Sequence, residues 1–260
     1  WRTMVEAVAM RTTGLGGDSE VHVIDEGLTG GGTLGPRRVI PVSLIASEAP
    51  DIVHAMLDEQ LRSDTPGEHD TRFVRAVPGV DAGGLSEKDA ALLGRIGNQP
   101  APLSKILNNR LETSALRRLA ARGLVQVSGV TPSDASHALG RVDAWDNDAA
   151  RKAIDLIARK RTGSGDRLAT TTDQMAQMII DQLTHQTSLA LLETAFAEES
   201  TDFGLPPAAL AEHVLTKKGL SNHRGLIRID TGLTLPVVGL GASAPSYYPA
   251  VGARVGTEMI

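Results

Sequence analysis

The sequence predicts an α/β chain, and three observations carry that reading. Short β-branched runs bounded by glycine, at 21–24 and 39–42, alternate with longer stretches of helical apolar spacing. Several of those stretches open on helix start signals, such as Ser86-Glu87-Lys88-Asp89 and Thr131-Pro132-Ser133-Asp134. A chain of 260 residues can also bury a sizeable core without disulfide or metal staples.

The elements follow in order. Residues 4–10 fit a helix or a buried segment. The glycine-rich run 12–19 leads into a strand at 21–24, and Asp25-Glu26-Gly27 reads as a turn. Gly30–Thr33 and Gly35-Pro36 read as loops before a strand at 39–42. Over 47–62, Ile52, Val53, Met56, Leu57 and Leu61 share one helical face. A polar loop at 63–70 precedes a strand at 73–77 and a helix opened by Ser86. Helices are expected at 103–107 and 112–122, a strand at 124–127, and a helix at 131–139. The stretch 148–161 is amphipathic with a basic end, and 172–199 is the longest expected helix. Strands at 226–229 and 235–240 and a helix at 248–258 close the chain. The expected organisation is a β-rich glycine-loop segment at 1–46, a mainly helical insertion at 47–166, and a long helix with a strand–turn–helix at 167–260.

Composition excludes several function classes. There is no cysteine, so disulfides, thiolate metal sites and cysteine nucleophiles are ruled out. Aromatic residues make up only 3%, too few for a base-stacking surface. The net charge of −5 gives no general attraction to nucleic acid or anionic membranes. The longest apolar stretches fall short of a membrane span, and no export signal opens the chain. A cytoplasmic protein is the expectation.

Two glycine loops carry the candidate chemistry. In Gly14-Leu15-Gly16-Gly17-Asp18-Ser19, glycine amides can form an anion nest, Ser19 can donate to a phosphate, and Asp18 can hold Mg²⁺ through its water shell. The loop has no Walker lysine, and an ordinary tight hairpin turn is the plainer reading. In the stretch from Leu235 to Pro245, a strand leads through Gly239, Gly241 and Ala242 into a helix, a place where a nucleotide or anion can sit. A tight strand–helix turn is the plainer alternative. Asp134 and His137 sit three apart on an expected helix but lack a third metal ligand, so no metal site is assigned. The helix–helix–strand pattern at 100–142, with Arg117, Arg118 and Arg122, also allows a non-enzymatic regulatory or interaction module with a winged-helix-like element.

Three motifs occur in one order. They are Thr13-Gly14-Leu15-Gly16-Gly17-Asp18-Ser19, then Thr131-Pro132-Ser133-Asp134-Ala135 with His137 and Leu139-Gly140-Arg141, then Leu235-Pro236-Val237-Val238-Gly239-Leu240-Gly241-Ala242 with Ala244-Pro245. Together they resemble the hydantoinase/oxoprolinase family, which includes N-methylhydantoinase A, 5-oxoprolinase and acetone carboxylase relatives. The resemblance implies part of an actin/hexokinase/Hsp70-like ATPase domain with a helical insertion. It implies ATP and Mg²⁺ as cofactors, a cyclic amide such as a hydantoin or 5-oxoproline as substrate, and a second subunit or domain as partner. The amide would be phosphorylated before ring opening. Gly14, Gly16, Gly17, Asp18 and Ser19 match the family's glycine/serine loop, and Gly239, Gly241 and Ala242 its adenosine-side turn. The family's Asp-Gly-Gly-Thr-type loops are not found; Gly30-Gly31-Gly32-Thr33 lacks the aspartate directly before it. With Trp1 as first residue and Met4 as first methionine, the expectation is an internal-to-late fragment of a larger subunit, inactive alone.

Overall fold

The computed structural model describes residues 11–24, 30–199, 201–240 and 244–260. Expectations for 4–10, for the Asp25-Glu26-Gly27 turn, and for Gly241 and Ala242 lie outside the described residues. The architecture is mixed α/β. Two compact units divide the chain, one of residues 15–183 and one of 1–14 with 184–260.

The first unit opens with a hairpin of β1 (Ser19–Ile24) and β2 (Gly31–Arg38), antiparallel with Val21 opposite Leu34 and Val23 opposite Gly32. The glycine and proline signals at 30–36 were expected to mark loops; Gly30, at φ +59°, lies outside any strand, but residues 31–36 belong to the second strand. Gly32 can lie flat against the His22 carbonyl, and Pro36 sits in a two-stranded ribbon, where a missing N–H breaks no central ladder. Next come β3 (Ile40–Pro41), α1 (Val42–Glu48) and α2 (Pro50–Leu61). The expected strand at 39–42 is thus shorter, because helix begins at Val42. The single helix expected over 47–62 is split by Pro50, which cannot donate within a continuing helix but suits the first turn of a new one.

The chain continues through β4 (Phe73–Ala76), α3 (Glu87–Arg95), β5 (Ala101–Pro102), α4 (Leu103–Ile106), α5 (Glu112–Ala121), β6 (Val125–Gly129), α6 (Pro132–Ala138) and α7 (Asn147–Ala158). Apart from the two-residue strand β5, which the sequence did not suggest, these match the expected elements within a few residues. Ser86 caps α3 by accepting from the Asp89 amide, as its sequence signal indicated. The strands form a four-stranded sheet in the order β3-β6-β4-β5, with β3 parallel to β6 and the other pairs antiparallel. The β-rich opening and the helical region therefore share one sheet.

The core lies on both sides of that sheet's strands. Helix α7 packs on α1, α2 and α6. Its Ala149, Ala150 and Ala153 let the backbones approach, and Ile154 and Leu156 are fully buried. A second cluster joins Val74, Leu92, Leu103, Leu116, Leu119 and Val125 from α3, α4, α5 and two strands. Each fully buried leucine or isoleucine contributes roughly 1.5–3 kcal/mol of transfer free energy.

Helix α8 (Thr172–Glu198) runs through the chain position at which one unit gives way to the other. Its apolar spacing made it legible. In the second unit, α9 (Pro207–Glu212), α10 (Val214–Leu220) and α11 (Ala244–Val255) follow. Leu189, Leu192, Ala211, Leu220 and Val255 form that unit's core cluster. The strands expected at 226–229 and 235–240 are reduced to isolated bridges, Arg224 with Arg228 and Val237 with Met259. Leu226, Leu235, Val238 and Leu240 are exposed, so no buried face holds these runs in a ladder.

Candidate functional site

The first glycine loop is a closed turn. The Gly16 amide donates to Ser19 Oγ at 2.8 Å, and the Ser19 amide returns to the Gly16 carbonyl at 3.1 Å. Ser19 is fully buried. Asp18 accepts two bonds from Arg38 Nε, at 2.9 and 2.7 Å. None of Gly14, Gly16 and Gly17 adopts the left-handed backbone that their glycines would permit. The amides of Gly17 and Asp18 have no acceptor among the described residues. Amides of this kind, and the exposed Arg38 guanidinium, are the donor types that a phosphate oxygen accepts. Mg²⁺ fits less well, because Arg38 already occupies the Asp18 carboxylate.

The loop is fixed to the second motif. The Ser133 amide donates to the Gly17 carbonyl at 2.8 Å, and the Val21 amide to the Val130 carbonyl at 2.9 Å. The second motif is itself a joint between helices. Thr131 and Asp134 form a capping box on α6. The same Asp134 carboxylate caps α1, accepting from the Val42 and Ser43 amides and from Ser43 Oγ. With the Thr131 amide and hydroxyl it receives five donors. Burial pushes the Asp134 carboxyl above the ordinary aspartate range, and the donors pull against that rise. His137 is held by the Ser133 carbonyl at Nδ1 and the Trp145 amide at Nε2, and its ring stacks on Trp145 at 5.0 Å. Asp134 and His137 are therefore joinery. Among the described residues no group of three or more histidine and acidic side chains could hold a metal ion.

In the second unit, Gly239 is pressed against Tyr248. A Cβ there would lie 2.3 Å from the ring, and the Gly239 amide donates to the Ile260 carbonyl at 2.8 Å. Close approach, rather than a special φ, calls for glycine at this position.

A cavity of about 440 Å³ opens beside the hairpin in the first unit. At its base Glu20, with 1% of its side chain exposed, accepts from Arg37 Nε and from Arg72. His22, on the same strand face, lies 3.6 Å from it. Glu20 immediately follows the first motif, yet the sequence gives no sign that it pairs with arginines 17 and 52 residues away. Arg117 lines this cavity and a neighbouring larger one. Its two companions in the basic cluster are engaged elsewhere: Arg118 with Asp89 at 2.6 Å, and Arg122 with the Gly83 carbonyl at 2.6 Å.

No family model, curated protein or solved structure matches the chain.

Another ionic cluster joins α2 to α7. His54 Nε2 meets Asp146 at 2.8 Å, and Lys152 reaches Asp58 at 2.8 Å and Asp148 at 3.1 Å. Partial burial works against ionisation of Asp146, but its bonds with the Ala149 amide and His54 hold it below the ordinary range. Asp146 also caps α7 through that amide, which assigns the cluster a packing role.

Proposed function

We propose that this chain works in an ATP-dependent cyclic-amide hydrolase of the hydantoin/5-oxoproline type, with an actin/hexokinase/Hsp70-like ATPase architecture. The single observation that supports the reading is the bond from Ser133 N–H to the Gly17 carbonyl. It brings the first and second of three ordered motifs, remote in sequence, into one structure. Beside it, the amides of Gly17 and Asp18 and the Arg38 guanidinium suit a phosphate group. When bound, ATP supplies the phosphoryl group that turns the amide oxygen into a leaving group. This chain's residues orient that phosphate and offset its charge, the usual protein contribution to phosphoryl transfer. Among the described residues no helix is long and apolar enough to cross a membrane. The proposed setting is the cytoplasm, with a second subunit or domain as partner.

The test uses the gene product that carries this chain, supplied with Mg-ATP and either hydantoin or 5-oxoproline. ADP formation should depend on the cyclic amide, and Arg38→Ala should raise KM for ATP by about tenfold. Ring opening without ATP consumption, or no binding of nucleotide at all, would overturn the proposal.

A further inference from the structure

The 440 Å³ cavity beside Glu20 has a composition that selects a ligand. Four cationic side chains line it, Arg37, Arg72, Arg117 and Lys160, against three anionic ones, Glu20, Glu68 and Asp70, which leaves one net positive charge. Glu20 is deeply buried and draws on Arg37 only through Nε, so the rest of that guanidinium is available to a ligand. Arg117 lies on the exposed side of α5 and has no partner among the described residues. Leu103, Leu107 and Leu116 add an apolar wall.

We propose that this cavity binds a small organic monocarboxylate, its head on Arg117 and Arg37 and its carbon chain against the leucines. The planar guanidinium fork matches a carboxylate in two-point contact. One net positive charge is balanced by one carboxylate. A phosphate dianion would overfill that charge and crowd Glu20. The leucine wall rewards a short aliphatic chain, since each buried methylene contributes about 0.8 kcal/mol. The inference does not depend on the nucleotide reading, which concerns the Gly17–Asp18 amides and Arg38.

The experiment is calorimetry on the 260-residue chain with hexanoate, hexan-1-ol and inorganic phosphate as probes. Hexanoate should bind saturably, with hexan-1-ol and phosphate each at least about tenfold weaker. Arg117→Met should weaken hexanoate by about tenfold, and Arg117→Lys by less, because the charge remains while the fork is lost. Since Arg117 supports no described contact, both variants should keep the circular dichroism of the parent chain. Hexanoate binding no tighter than hexan-1-ol, phosphate binding tighter than hexanoate, or Arg117→Met binding hexanoate unchanged would each overturn the proposal. None of these outcomes bears on amide-dependent ATP turnover.

Discussion

Asp134 and Glu20 are both acidic side chains with almost no exposure, yet their surroundings differ in kind. Asp134 is met by backbone amides and two hydroxyls, and its donors come from the ends of two helices. Glu20 is met by two guanidiniums that face a cavity. The first arrangement uses a carboxylate to fasten α1 to α6. The second holds excess positive charge beside open space. Burial of an acid alone therefore does not mark a binding site in this protein. What separates the two regions is whether the partners retain capacity for something else.

The comparison can be broken most forcefully at Asp134. Asp134→Ala orphans buried donors at two helix starts and should cost roughly 4 kcal/mol of unfolding free energy in urea titration. A loss no larger than that of an exposed aspartate would contradict its role as a joint. Glu20→Gln keeps the shape and one acceptor, so the expected loss is smaller, about 2 kcal/mol. This variant should also shift the hexanoate dissociation constant, while Asp134→Asn leaves it unchanged. Equal effects of the two variants on hexanoate would erase the distinction between the regions.

The smallest expected effect is in the pH dependence. Asp146 titrates below its unfolded value, so its stabilisation is present above about pH 4 and is lost as pH falls through its folded pKa. Asp134 is raised, so its contribution is present below about pH 4 and is lost as pH rises through its folded value. Comparing Asp146→Asn and Asp134→Asn with the parent chain by thermal denaturation from pH 3 to 7 should give trends of opposite sign. Parallel trends would contradict the opposite shifts of the two aspartates.

Much of the helical framework is legible in the sequence, because apolar spacing and caps are local signals. Ser86, Thr131 and the stripe from Met175 to Phe196 each announce a helix that the structure contains. The hairpin's second strand is hidden by Gly31, Gly32 and Gly35-Pro36, since turn residues outvote a pairing that only β1 supplies. The runs at 226–229 and 235–240 mislead in the other direction. They are apolar enough for strands, but among the described residues their pairing stops at short contacts, such as those of Val237 and Gly239 with Glu258 and Ile260. The cavity is the least legible part. Glu20, Arg37, Arg72 and Arg117 are separated along the chain, and no spacing rule links them. The first motif is visible as a glycine loop, but its tie to Ser133 emerges only from the fold.

In the proposed reaction the amide oxygen is phosphorylated before the ring opens. The most direct measurement follows that oxygen. A cyclic amide labelled with ¹⁸O in its reacting carbonyl is given, with Mg-ATP, to the gene product that carries this chain. If phosphorylation precedes water attack on the carbonyl carbon, the label leaves in inorganic phosphate. Label retained wholly in the ring-opened carboxylate, with none in phosphate, would contradict the account.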